Sequence, residues 1–266
     1  MSQNPPSPLV AVDIGNARLK LGLFATDPAA GLPEPLASLG IAGAEPDLQR
    51  IGPWLSEAAP ADASWWIGSV NRPTVTRLID WLRRERPADR VTLLAAGDLP
   101  LAVAVERPDM VGIDRLLDAL AANRLRRPGC PAIVVDVGTA ITVDLVSPDG
   151  AFLGGAILPG IGMSARAFHQ FTDLLPRIEI SELDSPPPPL GTSTVPAMQS
   201  GLFWGAVGGI RQLIERLSAE VTGQPEIFLT GGAGPAVADL LGQTARHVPH
   251  LTLAGIALAA EARPGT

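Results

Sequence analysis

The stretches Val12-Asp13-Ile14-Gly15 and Val135-Asp136-Val137-Gly138 are two versions of one short sequence within a single chain of 266 residues. Each ends an apolar run typical of a buried strand, Leu9 to Ile14 in the first case and Ile133 to Val137 in the second. Similarity at matching positions is the signature of an internal repeat. The chain is therefore predicted to contain one α/β unit built twice.

The first repeat has the pattern of a strand meander followed by alternating helices and strands. The Gly15-Asn16 pair favours a tight hairpin between the first two strands, which should pair antiparallel. Pro73 is predicted to open a helix with one apolar stripe. The strands predicted are Leu9 to Ile14, Leu19 to Phe24, Leu36 to Ile41, Ser64 to Val70 and Val91 to Ala95.

The second repeat begins at Ala132 and follows the same order. Its predicted strands are Ile133 to Val137, Ile141 to Val146, Phe152 to Leu158 and Glu226 to Thr230. A helix from about Gly112 to Arg127 joins the repeats, and Pro128-Gly129 ends it. We place the domain boundary within this helix, giving two halves, residues 1–118 and 119–266, each with a mixed sheet.

Composition excludes several classes of function. The 27 acidic and 20 basic residues give a formal net charge of −7, so nucleic acid is not an expected partner. The single cysteine, Cys130, cannot form an internal disulfide, which fits a reducing cytoplasm. No secretory signal and no apolar stretch of membrane-spanning length are evident, so no membrane association is expected.

An aspartate at the end of a buried strand, followed by a glycine hairpin, places a carboxylate beside exposed main-chain N–H groups. That combination suits a metal ion and phosphate, although one such pair taken alone is more often an ordinary turn. Two copies in a duplicated fold would converge on the cleft between the halves. Thr139 and Lys20 could add a hydroxyl and a positive charge to phosphate, or be a strand residue and an exposed lysine.

A third glycine turn follows the strand that ends at Thr230, in the run Leu229 to Gly234. A strand leading through glycines into a helix start suits the adenosine and phosphate side of a nucleotide. The glycine-lysine phosphate loop and the protein-kinase signatures are absent from the sequence. Gly231 and Gly232 are therefore candidates for nucleotide binding in a different kind of ATP site.

Six ordered strings together give the chain a close family resemblance. They are Asp13-Ile14-Gly15-Asn16, Gly112-Ile113-Asp114-Arg115, Asp136-Val137-Gly138-Thr139-Ala140, Gly154 to Gly160, Thr194 with Ala197 to Gly201, and Leu229-Thr230-Gly231-Gly232. In order and rough spacing, this set resembles the type III pantothenate kinases, of the actin-like ATPase and sugar kinase superfamily. The resemblance covers nearly the whole chain.

The resemblance implies a duplicated ribonuclease-H-like (actin-like ATPase) fold, two α/β domains with an interdomain cleft. It implies an ATP-dependent kinase that phosphorylates pantothenate to 4'-phosphopantothenate, the first step of coenzyme A biosynthesis. It also implies a cytoplasmic homodimer whose active site is shared between subunits. Magnesium and a monovalent cation, K⁺ or NH₄⁺, are the implied ions.

The same resemblance assigns residues to the nucleotide and its ions. Thr139 would contact ATP and Asp136 would hold the monovalent cation. Asp13 would hold magnesium directly or through water. The residues implied at the ATP phosphates are Asp13, Ile14, Gly15, Asn16, Ala17, Arg18, Leu19 and Lys20.

The acceptor residues implied are Gly112, Ile113, Asp114 and Arg115, with Asp114 as the general base. An ionised carboxylate at a helix start can accept a proton from an alcohol, but it can also cap the helix. Arg115 suits the pantothenate carboxylate, or a structural ion pair. Thr194 would reach pantothenate from the neighbouring subunit, while its residue type also fits a helix N-cap.

Two departures from the family pattern are visible. Ala17 stands where most relatives have Thr or Ser, which removes a hydroxyl from the phosphate loop, and Lys20 could offset that loss. The chain also contains no tyrosine, so relatives that use one in the pantothenate pocket do not tell which residues between Leu101 and Asp109 line it.

Two other functions remain compatible with the sequence. One is another small-molecule kinase or acyl-phosphate-forming enzyme of the same fold, because phosphate loops do not name the acceptor. The other is a catalytically silent, nucleotide-binding accessory protein. The run from Gly112 to Arg115 argues against the first, and the presence of Asp13, Asp114 and Asp136 together argues against the second.

Overall fold

The computed structural model describes residues 8–25, 31–43, 45–58, 62–178, 185–232, 234–241 and 245–263. The chain divides into two compact units. Unit 1 comprises residues 1–102, 106–125 and 250–266, and unit 2 comprises residues 103–105 and 126–249. In the part of the chain described, no helix is both long and apolar enough to cross a membrane.

Unit 1 contains a mixed five-stranded sheet with the order β3-β2-β1-β4-β5. Strands β1, β2 and β3 form an antiparallel meander, whereas β4 and β5 run parallel to β1. All five predicted strands are confirmed, β1 with the predicted bounds and the others with ends displaced by one or two residues. Their bounds are β1 Leu9–Ile14, β2 Arg18–Phe24, β3 Ala37–Ala42, β4 Ser64–Ser69 and β5 Arg90–Leu93.

Unit 2 repeats this topology with the order β10-β9-β6-β7-β8. Strands β6, β7 and β8 form the antiparallel meander, and β9 and β10 follow in parallel. The four predicted strands of the second repeat are therefore confirmed, with ends displaced by at most one residue, whereas β10 was not predicted. The bounds are β6 Ala132–Val137, β7 Ala140–Val146, β8 Phe152–Pro159, β9 Glu226–Thr230 and β10 Ala245–His247.

Helices cover both faces of the sheet in unit 1. Helices α1 (Ile51–Ala58) and α2 (Arg72–Glu85) bury apolar side chains against β1, including Val10, Val12 and Ile14. Asn71 caps α2, because its side chain accepts a hydrogen bond of 3.1 Å from the Thr74 N–H. Helices α3 (Ile113–Leu125) and α7 (Leu251–Glu261) pack on the same sheet and on each other.

The close contact between α3 and α7 explains where the units divide. A Cβ atom at Gly255 would collide with the Leu117 carbonyl group, so only glycine allows the two backbones to approach this closely. The whole of α3 therefore stays with unit 1, and α7 joins it. This division differs from the predicted boundary between residues 118 and 119, which would cut α3.

The core of unit 2 lies between its sheet and three helices. These are α4 (Ile161–Phe171), α5 (Thr194–Ser218) and α6 (Gly234–Leu241). Helix α5 buries Phe203, Val207 and Ile210 against strand residues such as Val135 and Val143. A proline-rich segment lies along α5, where the Pro189 carbonyl accepts a 2.7 Å bond from the Ser200 hydroxyl and the Pro187 carbonyl accepts a 3.0 Å bond from Trp204 Nε1.

Candidate active site

Asp13 and Lys20 face each other across the first hairpin of unit 1. They are paired residues in the β1–β2 register, and their Oδ2 and Nζ atoms are 3.8 Å apart. The turn is closed by a 3.0 Å bond from the Gly15 N–H to the Arg18 carbonyl. The side chain of Asp13 is 14% exposed and that of Lys20 is 31% exposed. A carboxylate and an ammonium group thus stand together at the end of the sheet.

Burial changes the acidity of Asp13. Loss of hydration raises the pKa of Asp13 from its ordinary 3.8 to about 6, Lys20 opposes this increase, and the negative charge of Asp114 adds to it. A carboxyl group poised in this way gains most from a cation that replaces its lost hydration. A raised pKa of this kind is typical of a carboxylate in a functional site, such as one that binds a metal ion beside phosphate.

Gly68 lets the start of α3 approach the end of the sheet that carries Asp13. Gly68 is the β4 neighbour of Asp13 in the sheet, and a Cβ atom at this position would lie 2.8 Å from Cδ1 of Leu117. Leu117 and Asp114 are three residues apart, so they lie on the same side of α3. Packing of Leu117 over Gly68 therefore places the start of α3, with Asp114, at the same end of the sheet as the hairpin.

Asp114 occupies the first turn of α3 and is partly buried. Its Oδ1 accepts a 2.9 Å hydrogen bond from the Arg115 N–H, so the carboxylate is held by the free amides of the helix start. A Cβ atom at Gly112 would lie only 2.5 Å from that oxygen. The Gly112-Ile113-Asp114-Arg115 sequence thus forms a compact turn in which glycine makes room for the carboxylate.

Asp136 takes the corresponding position in unit 2. Its strand neighbours are Thr142 on β7 and Thr230 on β9, so hydroxyl groups flank the carboxylate on both sides. Gly231 has φ +94°, and a Cβ atom there would collide with both Asp136 Oδ1 and the Val137 carbonyl. These two oxygen atoms therefore crowd the same point, and oxygen donors are the ligands that hard cations prefer.

Thr139 lies in the hairpin that follows Asp136. Its carbonyl accepts a 3.0 Å bond from the Gly160 N–H, and a Cβ atom at Gly160 would collide with the carbonyls of Gly138 and Thr139. The hairpin of unit 2 is thereby packed against the end of β8. Gly232 is exposed beside Gly231, whereas Ala233 lies outside the described residues.

Thr194 lies on an element that carries none of the residues described above. It is the first residue of α5, its side chain is exposed, and the N-cap position belongs to Ser193. The capping role that the residue type suggested is therefore wrong for Thr194.

Sequence reasoning missed Gly68 and gave no individual role to Gly160 and Thr230, although both lie in strings that carry the family resemblance. A glycine inside an apolar strand, as in Trp66-Ile67-Gly68-Ser69, marks a close approach of another element, and this signal could have identified Gly68. The buried hydroxyl of Thr230 carried no such signal, because threonine is a common strand residue. In the described part of the chain, no three His, Cys, Asp or Glu side chains cluster as a metal site.

A family model for type III pantothenate kinases matches residues 9–216 of the chain. The chain belongs to the type III pantothenate kinase family. Relatives named type III pantothenate kinase include one from Paramagnetospirillum magneticum, 36% identical over 87% of this chain and 88% of the relative. Another, from Parafrankia sp., is 34% identical over 95% and 97%. One from Acidiphilium cryptum is 40% identical over 70% of this chain and 66% of the relative.

Solved structures with low sequence identity share the fold. One is a protein from Sinorhizobium meliloti to which the name 2-dehydro-3-deoxygalactonokinase has been provisionally given. It matches with a TM-score of 0.55 and 17% identity over 96% of this chain and 98% of that chain. An activator of 2-hydroxyisocaproyl-CoA dehydratase from Clostridium difficile, with bound ADPNP, matches with a TM-score of 0.52 and 14% identity over 95% and 93%. These neighbours confirm the predicted actin-like ATPase type of fold.

Substituting Gly231 by alanine should disrupt the unit 2 hairpin. The new Cβ atom would collide with Asp136 Oδ1 and the Val137 carbonyl, at a φ that non-glycine residues rarely adopt. We expect destabilisation of roughly 2 to 3 kcal/mol, as for other strained or overpacked positions. Thermal unfolding measures it. Gly201→Ala, on α5 with no neighbour near the added atom, is the control. A Gly231→Ala variant that melts at the same temperature as the unsubstituted protein would contradict this account.

Proposed function

We propose that this chain transfers the γ-phosphoryl group of ATP to the terminal hydroxyl of pantothenate, giving 4'-phosphopantothenate and ADP in the first step of coenzyme A biosynthesis. The observation that carries the proposal is the placement of Asp114 at the same end of unit 1 as the Asp13–Lys20 pair, through the Gly68–Leu117 contact. Family membership favours pantothenate over other acceptors.

Asp114 acts as the general base. It accepts the proton of the acceptor hydroxyl while the hydroxyl oxygen attacks the γ-phosphorus, and the bond from that phosphorus to the bridging oxygen of ADP breaks. The bond from the Arg115 N–H fixes one carboxylate oxygen, which leaves the other to face the acceptor. The Arg115 guanidinium group binds the pantothenate carboxylate and so orients the hydroxyl.

Residues 13 to 20 hold the ATP phosphates. The main-chain N–H groups of Asn16 and Ala17, at the exposed turn of the hairpin, can donate to phosphate without the hydroxyl that Ala17 lacks. When ATP binds, the Lys20 ammonium group contacts a phosphate oxygen in place of the Asp13 carboxylate. Asp13 then serves the magnesium ion, directly or through water. Bound magnesium neutralises charge on the transferring phosphoryl group.

Unit 2 carries the residues proposed for further contacts with ATP and for the monovalent cation. Asp136 offers a carboxylate beside the Val137 carbonyl, an oxygen pair suited to K⁺ or NH₄⁺. Thr139 contacts ATP from the adjoining hairpin. Gly231 and Gly232 let the backbone approach the nucleotide ahead of α6, whose N-terminal amides favour negative charge.

The working enzyme is a cytoplasmic homodimer in which Thr194 of one chain reaches the pantothenate of the other. Its exposed position at the start of α5 leaves its hydroxyl available to a second chain. Unit 2 also carries a set of large exposed apolar side chains, a feature of association surfaces. They are Ile157 on β8, Phe171 at the end of α4, and Leu174 and Leu190 in the segments that precede α5.

The test is an incubation of purified protein with pantothenate, ATP and magnesium, in potassium and separately in sodium. We expect 4'-phosphopantothenate in potassium and at least about tenfold less in sodium, because the smaller ion fits an oxygen site of this kind less well. Sedimentation should give the mass of two 27.6-kDa chains. ATP binding without product in either salt would instead support the silent accessory protein.

A further inference from the structure

The end of β4 leads into a short turn that contacts both the phosphate hairpin and the acceptor motif, and all three belong to unit 1. The turn consists of Ser69, Val70 and Asn71, and we call these residues the link turn. The Val70 N–H donates a 3.0 Å hydrogen bond to the Ile14 carbonyl. The Cγ1 atom of Val70 would lie 3.6 Å from a Cβ atom placed at Gly112. One residue therefore contacts the strand end that begins the hairpin and also lies beside the start of the acceptor motif.

The Ile14 carbonyl group bears on the direction in which the phosphate hairpin begins. This carbonyl and the Gly15 N–H belong to one planar peptide group. The Gly15 N–H donates a 3.0 Å bond to the Arg18 carbonyl, while the oxygen of the same peptide group accepts the bond from Val70. The peptide group is thus held at both ends. Its orientation determines where the next main-chain N–H groups of the hairpin point, and these are the groups proposed to bind phosphate.

The hydroxyl group of Ser69 shapes the link turn. Its Oγ accepts a 3.0 Å bond from the Asn71 N–H, and it lies within donor distance of the carbonyls of Asn71 (3.2 Å) and Ile14 (3.4 Å). A serine hydroxyl that bonds main-chain groups two residues ahead is a local turn-forming contact. The side chain of Asn71 then caps α2. The hydroxyl therefore holds the backbone between β4 and α2, and with it the direction of the Val70 N–H.

We propose that Ser69 is a positioning residue for phosphoryl transfer, an inference that rests on the function proposed above. Its hydroxyl acts through Val70 and not on a substrate. The main chain of Val70 holds the first peptide group of the phosphate hairpin, and its side chain lies beside Gly112. The link turn thereby sets the distance between the γ-phosphate and the hydroxyl that attacks it.

Loss of the Ser69 hydroxyl should affect alignment more than binding. Catalysis of phosphoryl transfer depends mainly on positioning and on charge stabilisation, and a displacement of about 1 Å can cost about a hundredfold in rate. Removal of one neutral hydrogen bond should cause a smaller displacement. We therefore expect kcat to fall about tenfold, with both KM values within about threefold, because the groups proposed to bind ATP and pantothenate all remain.

The test is Ser69→Ala, with steady-state kinetics in which ATP and pantothenate are each varied, at a temperature where all variants are folded. The matched control is Ser56→Ala on α1, which removes an exposed hydroxyl that donates a 2.9 Å bond to the Gly52 carbonyl and should leave kcat unchanged. Ser69→Thr retains the hydroxyl on a residue type that strands favour, so its kcat should stay within about twofold. Amide hydrogen exchange at Val70 and Asn71 should be faster in Ser69→Ala alone.

An unchanged kcat in Ser69→Ala would overturn the inference and leave the proposed function intact. An equal loss of kcat in Ser69→Thr would overturn it as well, because the hydroxyl would then not be the cause. If Ser69→Ala does not fold, the kcat of Ser69→Thr decides, and a loss of about tenfold there has the same force. No turnover of pantothenate by the unsubstituted protein would overturn the proposed function itself, and the role of Ser69 with it.

Discussion

Replacing Asp114 by asparagine should lower kcat for pantothenate phosphorylation about a thousandfold. Asparagine keeps the shape of the side chain and can still accept a bond from the Arg115 N–H, but it cannot take the proton of the acceptor hydroxyl. General base catalysis is worth about a hundred- to ten-thousandfold. The KM for pantothenate should change much less, because Gly112 and Arg115 remain in place.

Steady-state kinetics with both substrates varied would measure the Asp114→Asn effect. The matched control is Asp80→Asn, which alters a carboxylate on α2 that is 54% exposed and paired with Arg83. Its activity should equal that of the unsubstituted enzyme. A kcat within a factor of ten in the Asp114 variant would remove this residue from proton transfer and leave it a helix-terminus role alone.

Replacing Asp13 by asparagine should have opposite effects on activity and on stability. Activity should fall by roughly a hundredfold or more, because the variant loses the carboxylate that we propose for magnesium. The ligand-free protein should become more stable at neutral pH. A pKa of about 6 instead of 3.8 means that keeping Asp13 ionised in the folded state costs up to about 3 kcal/mol.

The gain in stability should depend on pH in a defined direction. Because folding raises the pKa of Asp13, the folded protein holds this proton more tightly than the unfolded chain. The unsubstituted protein therefore loses stability from this group as the pH rises from about 4 through about 6. The free energies of unfolding of Asp13→Asn and the unsubstituted protein, obtained from melting curves, should differ by up to about 3 kcal/mol at pH 7.5. The difference should vanish near pH 4.

Asp80→Asn again serves as the comparison, because this carboxylate is 54% exposed and lies on α2, outside the candidate site. A ligand-free Asp13 variant that is less stable at pH 7.5 would contradict the burial argument. Wild-type catalytic efficiency in that variant would contradict the role of Asp13 with magnesium. The two measurements thus test the electrostatic and the functional claims separately.

Local sequence signals predicted the strands and the two acidic hairpins well. The apolar runs and the Gly15-Asn16 pair predicted that β1 and β2 pair antiparallel, but not their register. A two-residue turn at Gly15-Asn16 would place Asp13 opposite Arg18, whereas Asp13 pairs with Lys20, and the second hairpin is one residue shorter than the first. Contacts between distant segments were not predictable in this way. The Gly68–Leu117 and Gly255–Leu117 contacts join residues that no local periodicity relates, and the domain boundary depends on them.

The same distinction between local signals and distant contacts applies to the candidate site. Asp13, Asp114 and Asp136 stand out in the sequence because each combines an acid with neighbouring glycines. The crowding of oxygen atoms at Asp136 did not stand out. It depends on Gly231, whose φ of +94° and close approach to Asp136 Oδ1 and the Val137 carbonyl are set by the backbone and not by residue type.

The return of α7 to unit 1 has a consequence for how the protein is made. Strands β1 and β4 need α7 to cover one face, yet residues 251–261 follow the whole of unit 2 in the sequence. During synthesis, the sheet of unit 1 therefore lacks the cover of α7 on one face while more than a hundred later residues emerge from the ribosome. Residues 126–249 can mature first, and the amino-terminal portion reaches its native state afterwards.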